Sequence, residues 1–127
     1  MTRKAMVLSL VVGIFCLVGR SLAAHHSGFY DHDHPVTLSG IVTKYEMTSP
    51  HGRILFDVKD ERGNIVSWIA VTAPPQRLYR AGWNTKTLTA GDRITITGAP
   101  TTRPGIREMR MLKVVTPGGK TLSQGDE

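Results

Sequence analysis

Four histidines crowd into the ten residues His25-His26-Ser27-Gly28-Phe29-Tyr30-Asp31-His32-Asp33-His34, and the fifth, His51, follows a proline in Pro50-His51-Gly52. Imidazoles at this density are candidate ligands for a transition metal. A free α-amine titrates near neutrality, and with a neighbouring imidazole it closes a chelate ring on Cu(II) or Ni(II). Cleavage after Ala24 would leave His25 first, its amine and ring on one metal and His26 or His51 completing the shell. Cleavage after Ala23 would leave Ala24-His25-His26, in which amine, two backbone nitrogens and an imidazole make a square-planar Cu(II) site. Either product favours copper over zinc on geometry, with nickel the lesser alternative. His32 and His34 are further candidate donors, and Asp31 and Asp33 are carboxylates able to orient the rings. The competing account is plain: histidines near a terminus are often only solvated, and a loop histidine such as His51 is by itself weak evidence of a site.

Cleavage at that place is expected because residues 1–24 have the build of a signal peptide. Arg3 and Lys4 supply the positive end, Ala5 to Val18 is an almost unbroken apolar run, and Ser21-Leu22-Ala23-Ala24 carries the small residues a signal peptidase needs. The run is short for a membrane span and no second one follows, so no stable span is expected after processing. The expected location is the periplasm. Loss of Arg3, Lys4 and Arg20 leaves 13 basic against 10 acidic residues, a formal charge of +3 instead of +6. Cys16 leaves as well, which excludes disulfides and thiolate metal sites in the mature chain. The small residual charge and the export signal both argue against nucleic acid as a partner.

The elements that must hold these side chains begin after Pro35. Residues 25–34 show no helical or strand period and are expected to form an arm. Val36 to Met47 alternates as a long first strand, with Gly40 marking a bend or bulge. Arg53 to Lys59 alternates cleanly, Ile54, Phe56 and Val58 inward. Asp60-Glu61-Arg62-Gly63-Asn64 is a hairpin turn. Ile65 to Val71 is apolar on both faces and is expected to be a central strand. One short helix follows, with Thr72 as its cap, Pro74 and Pro75 in its first turn and Gly82 ending it. Arg93 to Gly98 and Glu108 to Val115 are the last two strands, and residues 123–127 are expected to fray. Three strands, a helix and two strands is the order of an OB-fold, so the fold expected over residues 35–122 is an all-β, small five-stranded OB-like barrel.

Several motifs in the mature part resemble those of a family of exported bacterial proteins catalogued as domain of unknown function 6152. They are His25-His26-Ser27, Pro50-His51, Gly82-Trp83, Leu88-Thr89-Ala90-Gly91-Asp92 and the closing Thr116-Pro117-Gly118-Gly119-Lys120-Thr121-Leu122. Met47-Thr48-Ser49 departs from the Trp-Thr-Asn usual before Pro-His, and Gly28 is inserted before Phe29. The resemblance implies an exported all-β domain starting at His25, and it implies no activity.

Other candidates are weaker. Met109 and Met111 could be soft Cu(I) ligands, but methionines in a strand more often fill the core. Tyr45 and Trp68 could stack a ligand on the barrel face, although strand aromatics more often pack inward. Arg103, Arg107, Arg110 and Lys113 gather around the loop between the last two strands, where OB-folds bind oligonucleotides and saccharides. In an exported protein that loop would suit a periplasmic partner protein or an anionic polymer. Ser27 lies beside histidines but on an arm that holds no nucleophile and base in register, and no paired carboxylates or phosphate loop stand out. The chain is therefore expected to be a binding protein and not an enzyme: a metal binder through His25, His26 and His51, with His32 and His34 in reach, or alternatively an interaction module.

Overall fold

A computed structural model describes residues 28–125. The expected signal segment, residues 1–24, and the histidines His25 and His26 lie outside the described residues. The chain runs β1 (Val36–Glu46), β2 (Arg53–Lys59), β3 (Ile65–Val71), α1 (Pro75–Arg80), β4 (Arg93–Pro100), β5 (Glu108–Val115) and β6 (Thr121–Ser123). Antiparallel pairing orders the strands β3-β2-β1-β4-β5-β6, and a parallel β3–β5 pairing closes β1 to β5 into a barrel. That ring and the helix between β3 and β4 are the expected OB arrangement.

The long first strand serves two neighbours because it bends. Val36 to Ile41 pairs with β4 and Ile41 to Glu46 with β2, with a bulge between Val42 and Lys44. Gly40 is not itself the bulge; a Cβ there would overlap the Asp57 carbonyl oxygen, so the close crossing of β1 and β2 requires glycine. Alternation then sets the core. Val42, Ile54, Phe56, Ala70, Ile94, Ile96, Met109, Met111 and Val114 all point inward and are buried. Met109 and Met111 thus fill the core and are not available as copper ligands.

The helix plugs one end. Pro74 and Pro75 have no N–H to cap, and α1 starts without a side-chain cap; Thr72 is buried instead, its hydroxyl on the Ala73 carbonyl. At the other end Gly82, at φ +90°, reverses the chain so that Gly82 N–H meets the Tyr79 carbonyl and Trp83 N–H that of Leu78. Trp83 and Leu78 are thereby driven into the barrel mouth. Where sequence suggests fraying from Ser123 onward, the chain is tied down: Ser123 belongs to β6 and its carbonyl accepts the Trp83 indole N–H at 2.8 Å. The Gln124 side chain accepts from Ala73 N–H and donates to the Met111 carbonyl.

β3 departs from the expected central strand. Only Ile69 to Val71 pairs with β5, while Ile65 to Trp68 has β2 on one side alone. Apolar residues on both faces therefore reflect the core on one face and a groove on the other.

Candidate functional site

The described histidines do not converge. His34 Nδ1 lies 3.0 Å from the Asp31 carboxylate, which also accepts the backbone N–H groups of Asp33 and His34. The hydrogen bond from His34 holds the Asp31 carboxyl below its usual range. His34 remains strongly exposed, its side chain at 83%. His51 is half-buried, with Nδ1 3.2 Å from the Thr72 carbonyl. A carbonyl only accepts, so Nδ1 is the donor in this contact. Among the described residues no three His, Cys, Asp or Glu side chains are grouped to hold a metal.

The arm is docked where sequence alone suggests a free leader. Tyr30 bridges to Thr101, Asp31 N–H donates to the Pro100 carbonyl at 2.8 Å, and Thr102 N–H donates to the Phe29 carbonyl at 2.9 Å. Followed backward from Tyr30 to Gly28, this backbone moves along with the Pro100-to-Thr102 direction. That direction opposes β3, whose far end carries Thr72 and His51. The described arm and His51 thus sit at different ends of the β3–β5 seam. The Tyr30 hydroxyl locks the arm by donating to Glu108 at 2.6 Å, and Arg103 reaches the same carboxylate at 3.2 Å. Burial, then the Glu108 contact, push the Tyr30 phenol up to about 12.

A concave feature lies elsewhere, on the outer face of β2 and β3 beside the β4–β5 loop. A groove of about 370 Å³ is walled by Leu55, Ser67, Trp68, Ile69, Ile106 and Arg107 among others. Leu55 and Ile69 are cross-strand partners on the outward face, and Ile106, half-exposed, lines the same groove from the loop. Arg107 makes no ion pair among the described residues, whereas Arg103 is engaged by Glu108. The basic cluster seen in the sequence is therefore split, and Arg107 is the member on the groove. Lys113 is carried off to the β6 end of β5.

The aromatic candidates face differently from a stacking platform. Trp68 is the cross-strand partner of Phe56 and is partly buried against the core. Tyr45 lies across the barrel, 6.2 Å ring to ring from Trp83, its hydroxyl on the Asn84 carbonyl. Burial pushes its phenol up to about 12. Sequence reasoning missed Ile106, Leu55 and Ile69 as groove residues; the available signal was an isoleucine in an otherwise polar loop, directly after Pro104-Gly105.

Residues 13–109 match the model of a family described as a family of unknown function, DUF6152. No match was found among curated proteins.

Proposed function

The chain belongs to the DUF6152 family, and from that premise we propose that it is a small exported binding protein whose ligand face is the groove over β2 and β3. The observation that carries this is the meeting in one groove of the outward side chains Leu55 and Ile69 with Ile106 and with Arg107, a cation that makes no ion pair among the described residues. Half-exposed apolar side chains gathered in a concavity mark interaction sites more than scattered ones do. An exported partner protein or an anionic polymer meets that chemistry. Glu108, the carboxylate on the groove, is already shared by Tyr30 and Arg103, which suits a binding surface. The test is two-dimensional NMR with polyglutamate and with dextran sulfate as probes. At least one should shift the Leu55, Ile69 and Ile106 amides, and Arg107→Glu should remove the shift; spectra that stay unchanged with both would overturn it.

A second reading places copper, or less favourably nickel, on the amino terminus through His25 and His26. What favours it is that His34 and His51 each hold Nδ1 on a fixed acceptor and keep Nε2 free of any described partner. That is how metal-bound imidazoles are commonly oriented. The described arm leads away from His51, so His51 and His34 would serve as auxiliary donors and not as one preformed cage. Native mass spectrometry of protein processed in a periplasm supplied with copper decides it. One copper per chain, lost when the amino terminus is extended by one residue or when His26→Ala is introduced, supports this reading. A clean apo mass under copper excess refutes it.

A further inference from the structure

The groove has one wall that is backbone and not side chain. Ile69 N–H donates to the Arg107 carbonyl across the β3–β5 seam, while Thr72 N–H and the Asp60–Asn64 bond point to the β2 side. Successive residues of a strand present their N–H and C=O to opposite sides, so odd-numbered residues of β3 face the seam and even-numbered ones face β2. The N–H and C=O groups of Ile65 and Ser67 therefore face an edge with no strand beside it among the described residues. This edge opens directly into the groove that Ser67 and Trp68 line.

We propose that this edge takes up an extended, acidic segment of a partner protein as an added strand, its main chain bonding Ile65 and Ser67. The inference rests on the groove being the ligand face and adds how the ligand is held. Strand addition supplies affinity from the main chain and specificity from alternate side chains. An apolar side chain of the segment faces Ile106 and Ile69, and a carboxylate at the loop end meets Arg107. Charge sets the acidic end: Arg107 stands at the loop end of the edge, whereas the Lys59-Asp60-Glu61-Arg62 turn at its other end balances two cations against two anions and offers no comparable pull on a carboxylate. A second copy of this chain fits less well, because four edge residues and a shallow groove fall short of the roughly 1,200 Å² that stable dimers bury.

The experiment uses the mature protein, 15N-labelled, and the capped peptide acetyl-Glu-Val-Glu-Val-Thr-Val-amide, with its Lys-for-Glu counterpart as control. Binding should shift the Ile106 and Ile69 amides and slow hydrogen exchange of the Ile65 and Ser67 amides. Ser67→Pro removes one edge donor and should weaken binding about tenfold, the loss of roughly one hydrogen bond, whereas Ser67→Ala should bind within about twofold. Shifts in the groove with exchange at Ser67 unchanged and Ser67→Pro still binding would overturn strand addition and leave the groove as ligand face. No shifts with the acidic peptide, together with none from polyglutamate or dextran sulfate, would overturn both. Equal binding of the Lys peptide would overturn the acidic specificity. Protection of Ser67 that appears without peptide and grows with protein concentration would assign the edge to a second copy and overturn the partner segment.

Discussion

One face of the β5 strand and one face of the β3 strand pose the same problem, and the chain treats them differently. β3 and β5 pair for only three residues, Ile69 to Val71 against Glu108 to Arg110. Each strand then has a stretch left over on the seam side. On β5 the leftover, Lys113 to Val115, is covered by β6, whose Leu122 is buried and whose neighbour Gln124 is bonded to both Ala73 and Met111. On β3 the leftover, Ile65 to Trp68, is covered by no described strand. An exposed strand edge is an aggregation liability that proteins manage with cover or charge. Covering one edge and leaving the other open beside a cation and apolar side chains is what the proposed ligand surface requires.

The sharpest way to break that contrast is to empty the covered side. Trp83→Ala leaves a cavity under β6 and α1 and should cost about 3–5 kcal/mol, measured by urea unfolding, whereas Ser67→Pro on the open side should cost about 1 kcal/mol or less. Equal losses would mean that the β3 edge is structural. A smaller but diagnostic effect is expected from Gln124→Ala, which strands the Ala73 N–H and the Met111 carbonyl. Two buried groups without partners should cost about 1–3 kcal/mol, and the β6 amides should exchange faster while those of β2 and β3 do not.

Between the two sides lies the Tyr30 latch, and its response to pH is set by sign. The folded phenol titrates at about 12 against 10.0 for the ordinary group, so the docked arm favours the protonated form. Its contribution is complete below pH 10 and is lost as pH rises from there toward 12. Phenolate absorbance should show Tyr30 and Tyr45 titrating near 12, and Tyr30→Phe should free the arm amides at neutral pH without altering β6. The smallest effect concerns the histidines. His34→Ala removes an exposed partner of Asp31 and should leave thermal stability unchanged within error, so a change in copper retention in that variant would report ligation and not folding.

Much of the barrel is legible in the local pattern of the sequence. β2 and β3 start and end where alternation and the Asp60–Asn64 turn place them, because a period of two and a glycine-bearing turn are local properties. Gly82-Trp83 likewise announces the helix stop and its buried tryptophan. β6 was not legible, because three residues are too few to show a period. The inward aim of Trp68 was hidden as well, since β3 is apolar on both faces and only its pairing with Phe56 says which side is the core. The groove was half legible: Arg107 stood out by charge and the alternation of β2 already puts Leu55 outward, but the outward aim of Ile69 and its place beside Ile106 depend on register and on the return of the β4–β5 loop.

Near neighbours along the chain carry the succession of the five barrel strands, the place of the helix, the wealth of histidines ahead of the domain and the family. Tertiary structure alone decided that the arm is fastened to the β4–β5 loop, that His51 is held at the far end of the seam from it, and that half of β3 is an open edge. These depend on register and on where the barrel closes. Register is chosen by contacts between residues such as Tyr30 and Glu108, 78 positions apart, and no local pattern records it.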